Sequence, residues 1–134
     1  MPLTKLEHYL VLTDDIDATR DFYVQALGMH VGFRPPLDFL GHWVYVGDTP
    51  CIHIADWKTY TAHSNEQGIP VSVRAAGTGP VDHIAFNALD YDEVVGRLER
   101  YGVRAQRNDP PGGLLRQLFL RDPNGVKIEI NIRK

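Results

Sequence analysis

The chain has 134 residues, 43% apolar and 23% charged, with 14 Lys plus Arg against 17 Asp plus Glu. That is globular composition at single-domain length, so global disorder is excluded, and a net charge of −3 without a basic stripe speaks against a nucleic-acid partner. No apolar run approaches the roughly 18 residues of a membrane span, the first residues carry no apolar leader, and the single Cys51 excludes an internal disulfide or a multi-cysteine cage; a cytoplasmic protein is the expectation.

Leu6 to Leu12 reads as a first strand. Asp14-Asp15-Ile16-Asp17 starts a helix, because acids suit the positive end of the helix dipole. The helix is expected to run to about Leu27 and to end at Gly28. Met29 to Arg34 reads as a second strand, broken by Pro35-Pro36. His42 to Val46 and Cys51 to Ala55 follow as strands, separated by the turn Gly47-Asp48-Thr49-Pro50. Residues 57–80 carry Gly68, Pro70, Gly77, Gly79 and Pro80, and read as a long connector with little regular structure beyond a short β-like piece at Val71-Ser72-Val73.

The pattern then restarts. Val81 to Phe86 reads as a strand. Asp90-Tyr91-Asp92-Glu93 resembles a capping box, and the helix it opens carries Tyr91, Val94, Val95, Leu98 and Tyr101 on one stripe before Gly102. Val103 to Gln106, Leu114 to Arg121 and Lys127 to Ile132 read as strands, the last two joined by Asp122-Pro123-Asn124-Gly125, a type I turn by composition. Each half is therefore β-α-β-β-β. His8 and His83 lie 75 residues apart, Gly28 and Gly102 lie 74 apart, Tyr45 and Phe119 74, and His53 and Glu129 76. Four landmarks in order with nearly one offset define an internal repeat. The predicted fold is α+β, two βαβββ modules forming a cup-shaped mixed sheet in a single domain over 1–134. Module 1 spans about 4–56, the connector 57–80 and module 2 about 81–134.

The repeat pairs His8 with His83 and His53 with Glu129, on the first and last strands of each half. Strand side chains alternate faces. Ile52 and Ile54, like Ile128, Ile130 and Ile132, need an apolar layer, which the helices supply. His53 and Glu129 therefore face the other way. Pseudo-two-fold packing would bring His8, His53, His83 and Glu129 toward one point. Three imidazoles and a carboxylate suit a first-row metal, either Fe(II) in oxygen chemistry or Zn, Ni, Mn or Co as a Lewis acid. Against this stands the plain alternative of a solvated polar strand face.

Other candidates carry less. His30, His42 and His63 read as surface residues. Cys51 shares the His53 face and reads as packing. Trp43, Tyr45 and Phe119 suit either the core or stacking on a substrate. Pro110-Pro111-Gly112-Gly113 lacks the GK[ST] ending of a phosphate loop and reads as a turn.

The stretches LEHYLVLTDDIDATRDFYVQALGM, GPVDHIAFNALDYDEVVGRLERYGV and LFLRDPNGVKIEINI resemble the vicinal oxygen chelate superfamily of glyoxalases, bleomycin resistance proteins and extradiol dioxygenases. The resemblance implies a cup-like sheet, a homodimer, a small-molecule substrate, and a divalent metal held by His8, His83 and Glu129. His53 departs from the glutamate of glyoxalase I and the glutamine of methylmalonyl-CoA epimerase at that place. It matches instead the pocket acid–base histidine of extradiol dioxygenases, although those enzymes generally carry two such domains. The expectation drawn from the resemblance is thus an enzyme most like a catechol-cleaving dioxygenase acting on an aromatic diol, with Fe(II) favoured and His53 as catalytic acid–base group. The alternatives are a Lewis-acid enzyme of glyoxalase, epimerase or thiol-transferase type, and a non-catalytic binding protein.

Overall fold

A computed structural model describes residues 1–134. The chain forms two compact units, Met1–Val24 with Met29–Ser72, and Gln25–Gly28 with Val73–Lys134. The first unit holds β1 (Tyr9–Thr13), α1 (Ile16–Asp21), β2 (His30–Val31), β3 (Gly41–Val46), β4 (Thr49–Asp56) and α2 (Trp57–Gln67). The second holds β5 (Ile84–Ala88), α3 (Tyr91–Tyr101), β6 (Gln106–Asn108), β7 (Leu115–Arg121) and β8 (Lys127–Arg133). Each unit builds one four-stranded mixed sheet, ordered β1-β4-β3-β2 and β5-β8-β7-β6. In each, the first and last strands pair in parallel, and the remaining ladders are antiparallel. The α+β class and the repeated β-α-β-β-β order match the reading from sequence.

Local chemistry sets the element ends. Asp15 caps α1 by accepting from Ala18 N at 2.9 Å. The helix expected to reach Leu27 instead widens into a π-helical turn over Phe22–Ala26, which places Phe22, Tyr23 and Ala26 all in the core. Asp90 caps α3 by accepting from Glu93 N at 3.1 Å. The expected capping box is only half made, since the Glu93 carboxylate turns to Arg97. Asp122 closes its turn by accepting from Asn124 N and Val126 N at 2.8 and 2.9 Å. Gly41 permits the β3–β4 approach, because a Cβ there would lie 2.0 Å from the Ile54 carbonyl oxygen.

The connector expectation fails over its first half. Trp57–Gln67 is helical, capped by Asp56, which accepts from Thr59 N, and closed by Gly68 in the left-handed region. Its exposed faces are polar and only Ser64 is fully buried, so apolar periodicity gave no signal. The Val71-Ser72-Val73 piece is not a strand.

The apolar faces follow the alternation. Ile52, Ile54 and Val44 in one sheet, and Ile128, Ile130, Leu118 and Leu120 in the other, are buried. In the first unit α1 packs on β3 and β4, and α2 on β4.

Candidate functional site

The four side chains singled out in the sequence fall into two pairs, one in each unit. In the first, Leu10 stands opposite His53 across the parallel β1–β4 ladder, so His8, two residues earlier, belongs to the same face. Trp43 stands opposite His53 across β3–β4. The His53 ring, only 9% exposed, is held between two others. His8 stacks on it at 3.7 Å with planes 12° apart, and Trp43 at 4.0 Å with planes 9° apart. Trp43 therefore lies on the site face, not in the core. Burial first, and then the His8 imidazole beside it, pull the His53 pKa down to about 4. At neutral pH the ring is uncharged, and the same shift makes it a weak base.

The stack also limits what His53 can do. An imidazole lone pair lies in the ring plane, and two stacked, nearly parallel planes with centroids 3.7 Å apart share no common point near both nitrogens. In this arrangement His8 and His53 do not both address one ion.

In the second unit His83 precedes β5, and its Nε2 lies 3.0 Å from Glu129 Oε2. Glu129 is 9% exposed, and its other oxygen accepts from Gln117 Nε2. Gln117 also donates to Asn131 Oδ1 at 3.1 Å and accepts from Asn108 Nδ2 at 2.7 Å, so three strands fix the carboxylate. Phe119 stands opposite Glu129 as Trp43 stands opposite His53. Strand register thus pairs Phe119 with Trp43, 76 residues earlier, and not with Tyr45 as the sequence comparison had it.

Sequence reasoning missed the groups that orient the histidines. His8 donates from Nδ1 to Glu7 at 2.8 Å, and His83 donates from Nδ1 to Asp82 at 2.7 Å. The signal was available: a carboxylate residue immediately precedes each histidine, and the two pairs repeat with the same 75-residue offset. Asp82, and then the Glu129 charge, hold the His83 pKa above its ordinary value. Gln117 and Asn108 gave no sequence signal.

His30 is exposed and stacks on Tyr45 at 5.6 Å. His42 pairs with Asp17 at 2.9 Å, and His63 pairs with Asp38. These three take no part in either candidate pair, as expected. Cys51 is half-buried, and burial pushes its thiol pKa up.

The donor chemistry suits a divalent metal. Both histidines spend Nδ1 on a carboxylate, a recurrent arrangement around protein-bound metals, and Nε2 of His83 faces Glu129. Glu129 adds an anionic oxygen beside that nitrogen. The donors stand in pairs, and no group of three or more His, Cys, Asp or Glu is gathered around one point.

The model of the Glyoxalase/Bleomycin resistance protein/Dioxygenase superfamily matches residues 5–130, and the chain, with its paired βαβββ architecture, belongs to that family. Among its relatives is glyoxylase I 4 of Arabidopsis thaliana, 31% identical over 132 residues, covering 96% of this chain and 70% of the plant protein. The fold matches the crystal structure of lactoylglutathione lyase from Agrobacterium tumefaciens, with a TM-score of 0.70, 20% identity, and 98% and 96% of the two chains covered. It also matches TnmS3, an antibiotic binding protein from Streptomyces, with a TM-score of 0.65, 19% identity, and 100% and 99% covered. The plant relative fits the glyoxalase-type alternative, and none of these relatives supports the catechol-cleaving expectation. No helix is long and apolar enough to cross a membrane.

Proposed function

We propose that this protein is a metal-dependent enzyme of the glyoxalase type, a lyase or isomerase acting on a small molecule with two vicinal oxygens. His8, His83 and Glu129 would hold the divalent ion, and His53 would move the proton. The observation that carries this reading is the repeated His–carboxylate pair, His8 with Glu7 and His83 with Asp82, which spends Nδ1 of each histidine and leaves Nε2 for other partners, Glu129 in the case of His83. A divalent metal in such a site acts as a Lewis acid toward a carbonyl oxygen. Zn, Ni, Mn or Co fits that role, and Fe(II) loses its favour together with the dioxygenase expectation.

The chain's own residues supply the rest. Glu129 is held by Gln117 so that one oxygen faces the His83 nitrogen. His53 is neutral near pH 7 and would take a proton from carbon next to a carbonyl, made more acidic by the metal, and return it to the neighbouring atom. The Trp43 and His8 rings fix its plane. The ligand set belongs to one chain or to two copies of a homodimer.

The test is elemental analysis of the purified protein, then titration of metal-free protein with divalent ions and assay on a methylglyoxal hemithioacetal and on catechol. Stoichiometric metal with hemithioacetal turnover is expected. Oxygen consumption on catechol restores the dioxygenase reading. Failure to bind any divalent ion leaves a binding protein.

A further inference from the structure

Arg34 is a half-buried cation without an anion. Its single hydrogen bond within the protein runs from Nη2 to the Phe39 carbonyl at 2.6 Å. Its guanidinium lies over the Phe39 ring, 5.1 Å from the centroid, and Nε is buried with no acceptor. No carboxylate pairs with it, and burial alone pulls its pKa down. A charge taken from water without a partner is costly, so such a group persists where a ligand supplies the counter-charge.

Its placement is specific. Gly32 N donates to Trp43 O, extending the β2–β3 ladder beyond β2 toward Arg34. The Arg34 charge is felt at the His53 ring. The loop that carries the Phe39 platform is fastened to α2: Leu40 N donates to Thr59 Oγ1 at 3.0 Å, His63 pairs with Asp38, and Phe39 packs edge-on against Tyr60 at 4.9 Å. α2 thus holds the guanidinium in place, which gives this helix a task that the repeat does not demand of it.

We propose that Arg34 is the anion-binding residue of the site, receiving the carboxylate of a small acid whose body lies along the His8–His53–Trp43 row. A planar guanidinium with N–H groups to spare matches a planar carboxylate. The substrate class is then a carboxylate-bearing carbonyl compound, in place of a neutral aldehyde or a neutral aromatic diol. This rests on the glyoxalase-type reading only for what happens to the ligand, not for its binding.

The test follows Trp43 fluorescence in a Trp57→Phe background, titrated with phenylpyruvate and with its methyl ester. The acid is expected to bind at least 10-fold tighter than the ester to the otherwise unchanged protein. Arg34→Gln should remove that preference, and Arg34→Lys should keep part of it. Equal binding of acid and ester, no binding of the acid at millimolar concentration, or an undiminished preference in Arg34→Gln overturns the proposal. If Arg34→Gln does not fold, the acid–ester comparison on the parent and on Arg34→Lys decides it. Acid selectivity without metal binding or turnover leaves the anion site standing and removes the enzyme reading; metal-dependent turnover without acid selectivity does the reverse.

Discussion

Replacing His53 with Ala separates the roles that a buried histidine can play. The ring is 9% exposed and lies in two parallel stacks, with His8 at 3.7 Å and Trp43 at 4.0 Å. Stacked pairs contribute about 0.5–1.5 kcal/mol each, so His53→Ala should cost roughly 1–3 kcal/mol in a urea melt. His8 keeps its Nδ1 bond to Glu7, and His83 and Glu129 are untouched. Metal affinity should therefore change by only a few fold. Turnover should fall about 10²–10⁴-fold at saturating metal, the usual loss on removing a positioned acid–base group. Metal content, folded fraction and turnover are measured on the same sample. Loss of the metal together with activity would make His53 a ligand and refute the geometric argument from the parallel rings. Full metal with full activity would remove His53 from the chemistry and leave it as packing.

Glu129→Gln keeps the shape and the bond from Gln117 but removes the anion, so metal affinity should drop 10-fold or more, on the order of 1.4 kcal/mol, by calorimetric titration. Ile128 is fully buried in β8, and Ile128→Ala should destabilise by about 2–5 kcal/mol in chemical denaturation, far more than any change on the polar face. Burial raises the Cys51 pKa, so labelling by a disulfide reagent at pH 8 should be slower than for a free thiol and accelerate with rising pH; free-thiol kinetics would contradict this. Sedimentation at micromolar concentration should show a homodimer, and a monomer there would overturn the assembly implied by the family resemblance.

What was legible in the sequence is what period-2 alternation encodes. Ile52-His53-Ile54 and Ile128-Glu129-Ile130 state both the strand and its polar face, and the structure buries the isoleucines accordingly. Caps were legible for the same reason: Asp15 and Asp90 act locally. α2 was not, because a helix with a single fully buried residue leaves no apolar stripe; its signals were Asp56 at one end and Gly68 at the other, hidden among breakers that lie further along. The π-helical turn was invisible because Phe22, Tyr23 and Ala26 fit an α-helical face equally well on paper. The site was half legible. The repeat pointed to the proposed donors, but Gln117, Asn108 and Arg34 are placed by register and loop packing that no spacing announces.

The parallel pairing of first and last strands has a kinetic consequence. Tyr9 lies opposite Ile52 and Ile84 opposite Ile128, closures of 43 and 44 residues, whereas Arg121 meets Lys127 across a short turn. Short loops close first, and distant partners wait for the entropy of the intervening chain to be offset. The β3–β4 and β7–β8 hairpins thus form early and present Trp43, His53, Phe119 and Glu129 on ready-made ladders. β1 and β5, each at a sheet edge, dock last, and each brings in the histidine just ahead of it. In this order of assembly the carboxylate and the stacked ring are in place before either histidine arrives, so the proposed ligand set would be completed late in folding.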